Sequence, residues 1–237
     1  MENAQRFIRA YNTIDQTLRS RFSFKRSMSF SDVVRRAVSL NHTVRKYEDV
    51  LIDYGRLRNA IIHNSNEEYT IAEPHKEVVQ KMEHIANILS SPPKVVNNIS
   101  EREVLCVQND VSVKDVIKLI SESGFSNIPV YKDGGLIGIA NGQRILDRLG
   151  KILSENGDLI NFINKNKIED FLCPQQEVKS YEIVSKDATI EEVLELFYKN
   201  RKLTAVLVTK DGVFNEAPIE IITAYDILEM NYILDNY

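Results

Sequence analysis

Tryptophan is absent from this chain of 237 residues, and cysteine is scarce, with Cys106 and Cys173 the only two. Two isolated thiols in apolar surroundings have neither the density of a disulfide scaffold nor the paired spacing of a zinc site. Both are read as buried thiols, and no metal site is expected. Nine glycines and six prolines are too few for a low-complexity chain. No apolar run approaches the length of a bilayer span, and the first residues mix arginines with polar and aromatic side chains, unlike a signal peptide. The expectation is a folded cytoplasmic protein that does not enter a membrane, with 43% hydrophobic and 27% charged residues.

The net charge of −4 conceals an asymmetry. Residues 1–64 hold twelve basic and six acidic side chains, a balance of +6, which leaves −10 for the remainder. A basic lobe joined to an acidic one points to a polyanion partner for the first, and solvated helix faces are the alternative.

From Glu2 to Ser90 glycine is almost missing and the apolar residues recur at helical spacing, as in Val78, Val79, Met82, Ile85, Ala86 and Leu89. Four helices are predicted, near 3–19, 30–42, 44–63 and 73–90. Ser29 or Ser31 caps the second, and Pro74 sits in the first turn of the fourth. Short connections favour an antiparallel four-helix bundle over residues 1–93. Ser90-Ser91-Pro92-Pro93 then breaks the pattern.

Beyond that break the chain repeats itself. Asp110 to Leu119 aligns with Asp187 to Leu196 at an offset of 77, each segment placing a capping Ser112 or Thr189 before an amphipathic helix. Leu136 to Leu146 aligns with Pro218 to Leu228 at an offset of 82, the extra five residues falling in a loop around Lys210 to Ala217. Each unit reads strand, helix, strand, turn, strand, helix, with Asp133-Gly134-Gly135 and Asp211-Gly212 marking the turns. The predicted architecture is therefore an α plus α/β two-domain chain: helices over 1–93 and a repeat pair over 94–237, with repeat one near 97–150 and repeat two near 178–237.

A hydroxyl at a helix start joins free N–H groups and the positive dipole end to receive an anion, and a carboxylate one turn on accepts both ribose hydroxyls. Thr223 and Asp226 have that spacing; a plain helix cap would use the same two residues. The order of elements, the Ile128-Pro129-Val130 strand, and the segments Gly138 to Arg144 and Glu220 to Asp226 resemble the CBS-domain family. That resemblance implies β-α-β-β-α repeats packed as a pseudo-symmetric disc whose clefts bind AMP, ADP, ATP, S-adenosylmethionine or cyclic di-AMP. It also implies phosphate contact from Thr223, ribose contact from Asp226, and adenine-lining backbone near Ser185, Thr204 and Ala205. Glu220 stands where the family has glycine. Asn141 and Arg144 replace the threonine and aspartate in repeat one, so one competent site is expected, with Arg144 available to a phosphate. Pro129 is read as a strand-end element.

In the third helix, Arg58 and His63 are offset by ~140° on the helical wheel, within reach for long side chains. Arg58-Asn59 with His63 looks like the Arg-x4-His motif of the HEPN superfamily, whose members include metal-independent ribonucleases acting as dimers. The resemblance implies His63 moving protons, Arg58 stabilising phosphorane charge and Asn59 orienting either. Arg58 paired with an acid and His63 settled at a helix C-terminus are the structural alternative. Phe22, Phe24 and Phe30, interleaved with basic residues, could stack RNA bases or belong to the bundle core. His42, His75 and His84 are read as surface or packing residues.

Together these readings anticipate an adenine-nucleotide-sensing CBS pair that regulates an N-terminal HEPN-type endoribonuclease acting on RNA, as a homodimer, in a stress or phage-defence setting implied by both resemblances. The rival is a non-catalytic sensor whose helical domain dimerises or holds a partner protein. A third reading is the companion of a nucleotidyltransferase, with His63 and Tyr69 at the partner interface.

Overall fold

The computed structural model describes residues 2–63, 73–96, 98–99, 103–172 and 180–237, with His63 in its backbone only. Asn64, Tyr69 and Cys173 lie outside the described residues. The N-terminal segment forms α1 (Glu2–Arg21), α2 (Phe30–Ala37), α3 (His42–Lys46), α4 (Glu48–His63) and α5 (Lys76–Ser90).

Helix α1 follows its pattern, burying Ala4, Phe7, Tyr11, Ile14 and Leu18 along one stripe. Ser29 caps α2, its hydroxyl accepting from Asp32 N at 3.2 Å. The stretch predicted as two helices over 30–42 and 44–63 contains three. Asn41 explains the first break: its buried side chain accepts from Val44 N at 2.8 Å and starts α3, where a continued helix would have consumed that amide. Tyr47, outside helical geometry at φ −112° and ψ 20°, separates α3 from α4. The last helix begins at Lys76, two residues beyond Pro74. Gly55 belongs in α4 despite its poor helix propensity, because a Cβ there would stand 3.0 Å from the Phe30 ring. Phe30 is buried, and Phe22 and Phe24 pack against the same core, which places all three in the packing role.

The chain divides into two compact units. One comprises 1–98 together with Thr189–Glu195 and Glu229–Tyr237; the other comprises Ile99–Ala188 and Leu196–Leu228. The first is thus completed by two pieces of repeat two, and the Pro-rich segment takes part in the junction: Pro93 O accepts from Ile190 N at 2.9 Å. Charge complementarity holds these pieces. Arg21 pairs with Glu191 at 3.0 Å, Arg45 with Glu195 at 2.9 Å, and Lys46 with Asp235. Arg6 pairs with Glu83 at 2.7 Å and Arg19 with Asp15 at 2.8 Å. Much of the basic excess of the first 64 residues is therefore met by carboxylates of the same unit. Glu191 is only 1% exposed, and such a buried charge is tolerable only when paired.

The second unit carries two three-stranded sheets of like topology. Repeat one supplies β1 (Val107–Gln108), α6 (Val113–Ser123), β2 (Asn127–Lys132), β3 (Gly135–Asn141) and α7 (Gly142–Ser154), followed by α8 (Leu159–Lys165). Repeat two supplies β4 (Tyr181–Ser185), α9 (Ile190–Lys199), β5 (Ala205–Thr209), β6 (Glu220–Thr223) and α10 (Ile227–Asn236). In each, the first strand runs parallel to the second and the third is antiparallel. Ser112 and Thr189 cap their helices as their spacing requires, accepting from Asp115 N at 3.1 Å and Glu192 N at 3.2 Å. Gly134, at φ +80°, makes the tight β2–β3 turn that a side chain would strain. The two sheets bury Tyr131, Leu136 and Ile139 against Ala205 and Leu207. The Tyr131 hydroxyl donates to Glu216 O at 3.0 Å, and burial pushes its pKa up to about 12. Cys106 is exposed, not buried as its apolar neighbours implied, because the preceding segment enters the sheet only at Val107.

Candidate nucleotide site

The sheet registers decide which residues meet. Asn127 stands opposite Asn141 in repeat one, and Ala205 stands opposite Thr223 in repeat two, so in each repeat the start of the middle strand lies beside the strand-to-helix transition. Both transitions are capped by side chains. Asn141 accepts from Arg144 N at 3.1 Å and donates from Nδ2 to Asn127 Oδ1 at 2.8 Å. In repeat two the Asp226 Oδ2 accepts from Thr223 N at 2.7 Å and from the Thr223 hydroxyl at 2.9 Å.

A cavity of about 660 Å³ opens between these transitions. Its apolar wall is Ile117, Ile120, Ile145, Leu146, Leu149 and Leu203. Its polar groups come from both repeats: Ser126, Asn127, Asn141, Gln143, Thr204 and Thr223. A second cavity of about 270 Å³ is lined by Leu105, Phe125 and Ile221 among others, and it shares Ser126, Asn127, Thr223 and Tyr225 with the first. A concave apolar space with a few convergent polar groups is the form of a small-molecule site. Tyr225, 87% exposed, borders both cavities.

The residues singled out from the sequence are only partly brought together. Thr223 and Thr204 line the larger cavity, and Thr204 is fixed by donating from N and Oγ1 to Ser180 O at 2.7 and 2.9 Å. Asp226 lies one layer behind, 3% exposed, and reaches the cavity through the Thr223 hydroxyl it holds. Ala205 is fully buried between the sheets. Arg144 lies in the first turn of α7 and its side chain is outside both linings. Ser185 is at the wrong end of its strand: Tyr181 pairs with Ala205 and Ser185 with Thr209, which sets Ser185 ~13 Å along β4 from the Thr223 end. Glu220 is buried at the start of β6 and accepts from Ile221 N at 3.3 Å.

Sequence reasoning missed Phe125, Ser126 and Asn127, which repeat one contributes beside Thr223. The signal was available, since the offset of 77 makes Asn127 the counterpart of Thr204. Using it required knowing that each repeat walls the other's site.

In the helical unit, the Arg58 guanidinium lies 5.3 Å from the Tyr11 ring centroid and its Nη1 donates to Asn59 Oδ1 at 3.3 Å. Its Nε is buried with no hydrogen-bond partner among the described residues. His63 ends α4, and its side chain lies outside the described residues. His42 is packed, with Nε2 3.0 Å from Asn231 Oδ1, and burial lowers its pKa despite that bond. Among the described residues no group of three metal-ligating side chains exists, and no helix is long and apolar enough to cross a membrane.

Residues 96–151 and 177–231 each match the model of the CBS domain. Similar solved structures include CBSX2 in complex with AMP, 19% identical, covering 60% of this chain and 98% of that one at a TM-score of 0.45. Another is the CBS domain of the bacterial CNNM/CorC family Mg2+ transporter in complex with ATP, 19% identical, covering 64% and 96% at a TM-score of 0.45. A stretch of 72 residues, 30% of this chain, is 38% identical to an uncharacterized protein of Methanocaldococcus jannaschii and spans 25% of that relative's length.

Proposed function

Because residues 96–151 and 177–231 form a tandem pair of CBS domains, we propose that their shared cleft binds an adenine nucleotide and that the chain is a nucleotide-responsive regulatory protein. The observation that carries this is the convergence of Thr223, Tyr225, Ser126 and Asn127 on the wall common to both cavities. The apolar wall accepts a purine ring, and Tyr225 stacks on it. A ribose diol approaching Asp226 takes over the role of the Thr223 hydroxyl as donor and leaves that hydroxyl to a phosphate. Thr204, the residue before the strand partner of Thr223, contributes a hydroxyl oxygen beside it, while Ala205 and Arg144 stand outside the lining. The ligand class is AMP, ADP, ATP or cyclic di-AMP.

Calorimetric titration of the full chain with each of these ligands tests the reading. Thr223→Val should weaken the best of them about tenfold, the effect of one lost hydrogen bond to a charged group. An absence of heat with every ligand would sink it.

A second reading concerns the helical unit, where Arg58, Asn59 and His63 support a HEPN-type endoribonuclease under nucleotide control. The motif favours it. The Arg58 stack on Tyr11 and the pairing of Arg21, Arg45 and Lys46 with carboxylates of repeat two favour a non-catalytic unit that dimerises or holds a partner protein. Cleavage of a mixed RNA pool in EDTA, lost in His63→Ala, selects the ribonuclease; intact RNA under every nucleotide selects the sensor.

A further inference from the structure

Two polar side chains of the larger cavity have their hydrogen-bond polarity fixed from behind, by groups of the same compact unit. The backbone amide of Arg144 has only a proton to give, so the Asn141 atom that meets it at 3.1 Å is the carbonyl oxygen. That turns Asn141 Nδ2 towards Asn127, whose Oδ1 accepts at 2.8 Å. Asn127 Nδ2 then carries two N–H groups that have no acceptor among the described residues. Thr204 is fixed in the opposite sense. Its single hydroxyl proton goes to Ser180 O at 2.9 Å, a carbonyl that can only accept, and what Oγ1 has left is lone pairs.

Asn127 and Thr204 hold the same position in the two repeats, 77 residues apart, and both line the larger cavity. One offers donors and the other an acceptor. We propose that this pair chooses the base: Thr204 Oγ1 accepts from the exocyclic amine of adenine, and Asn127 Nδ2 donates to an adjacent unprotonated ring nitrogen. The inference rests on the nucleotide reading of the same cleft and adds to it the groups that set base specificity. Hypoxanthine has the shape of adenine with these polarities reversed, a carbonyl oxygen for the amine and N1–H for N1. In the same pose it sets an oxygen against Thr204 Oγ1 and, along that edge, a proton against Asn127. Turning either protein group over would break the bond that fixes it. A site built to hydrogen-bond its ligand rejects an analogue that leaves its polar groups unpaired far more strongly than an apolar pocket does.

The test is calorimetry of the full chain with AMP, ADP, ATP and cyclic di-AMP, each beside its inosine counterpart. The expected result is binding of the adenine member at least about tenfold tighter than its counterpart, the effect of one hydrogen bond replaced by a clash of like polarity. Thr204→Val keeps the side-chain shape and the amide bond to Ser180 while removing the acceptor. Asn127→Asp keeps the acceptor for Asn141 while replacing the donors. Each should cut the adenine-to-inosine ratio by about threefold or more. Added charge or lost stability acts on both members of a pair alike, so the ratio moves only for a group that touches the base. Affinities equal within about twofold, a preference for the inosine member, or a ratio unmoved in both variants would overturn the proposal and leave the nucleotide site standing. No heat with any ligand would remove both. Should the variants not fold, the ratio in the unaltered chain decides, beside Thr204→Ser, which retains the hydroxyl and should keep that ratio.

Discussion

Removal of the Asp226 carboxylate is the sharpest perturbation of the candidate site, because two donors of one residue converge on a single buried oxygen. Thr223 N lies 2.7 Å and the Thr223 hydroxyl 2.9 Å from Oδ2, and Asp226 is 3% exposed. A hydrogen bond to a charged acceptor contributes roughly 1.5–3 kcal/mol and a neutral one about 1 kcal/mol. Asp226→Ala loses both bonds and leaves the Thr223 amide in a half-buried place, for a cost of about 2–3 kcal/mol. Thr223→Val loses the hydroxyl bond alone, also to that carboxylate, and should cost about 1.5 kcal/mol. The double variant should be little worse than Asp226→Ala, since the hydroxyl has already lost its acceptor, which gives a coupling of about 1.5 kcal/mol. Thermal unfolding followed by circular dichroism reads these as falls of about 4–12 °C for Asp226→Ala and about 3–6 °C for Thr223→Val. Additive effects, or a fall under about 1 °C for Asp226→Ala, would refute the account of the cap and the mechanism by which ribose displaces the Thr223 hydroxyl.

Arg21→Ala strands the buried Glu191 carboxylate and should cost about 2 kcal/mol, while adding Glu191→Ala should recover part of that loss, measured by the same melts. Burial lowers the pKa of His42 and of His84, so the folded state prefers both neutral. Their stabilisation is complete above the unfolded value of about 6.5 and is lost as pH falls through the lower folded values. A melting temperature that falls from pH 7.5 to pH 5.5, with a smaller fall in His42→Gln, is the expected outcome; an unchanged slope in the variant would refute it. In an alkaline absorbance titration the last of the tyrosines to ionise should do so near pH 12 and vanish in Tyr131→Phe. Tyr225→Ala should leave the melt within about 1 °C, as its ring is 87% exposed, and weaken adenine-ligand binding by roughly tenfold through loss of stacking.

The duplication was legible because it is written in local chemistry: Ser112 and Thr189 before amphipathic helices, and strand patterns that repeat at two offsets with the slack in a loop. The caps Ser29, Ser112 and Thr189 and the Gly134 turn followed from the same kind of signal, a side chain competing for a neighbouring amide. Asn41 worked by that rule too, yet the apolar spacing through 30–46 hid the break, because one Asx side chain outcompetes the helix without altering its hydrophobic period. Thr223 and Asp226 could be named from the motif, and Thr204 only from the family resemblance.

Strand register and repeat pairing lay beyond local signals. Whether Ser185 reaches the cleft depends on which end of β4 lies beside Thr223, and hydrogen bonds between strands distant in sequence settle that. That Asn127 and Ser126 join the site depends on how one sheet packs on the other. The sum of charges in the first 64 residues was correct, but its meaning turned on Glu191, Glu195 and Asp235, acids far along the chain that the tertiary structure returns to Arg21, Arg45 and Lys46. Sequence by itself determined the elements and the repeat, since those arise from interactions within a few residues. The cleft and the pairing of charges were decided by contacts across many residues, which only the folded chain specifies.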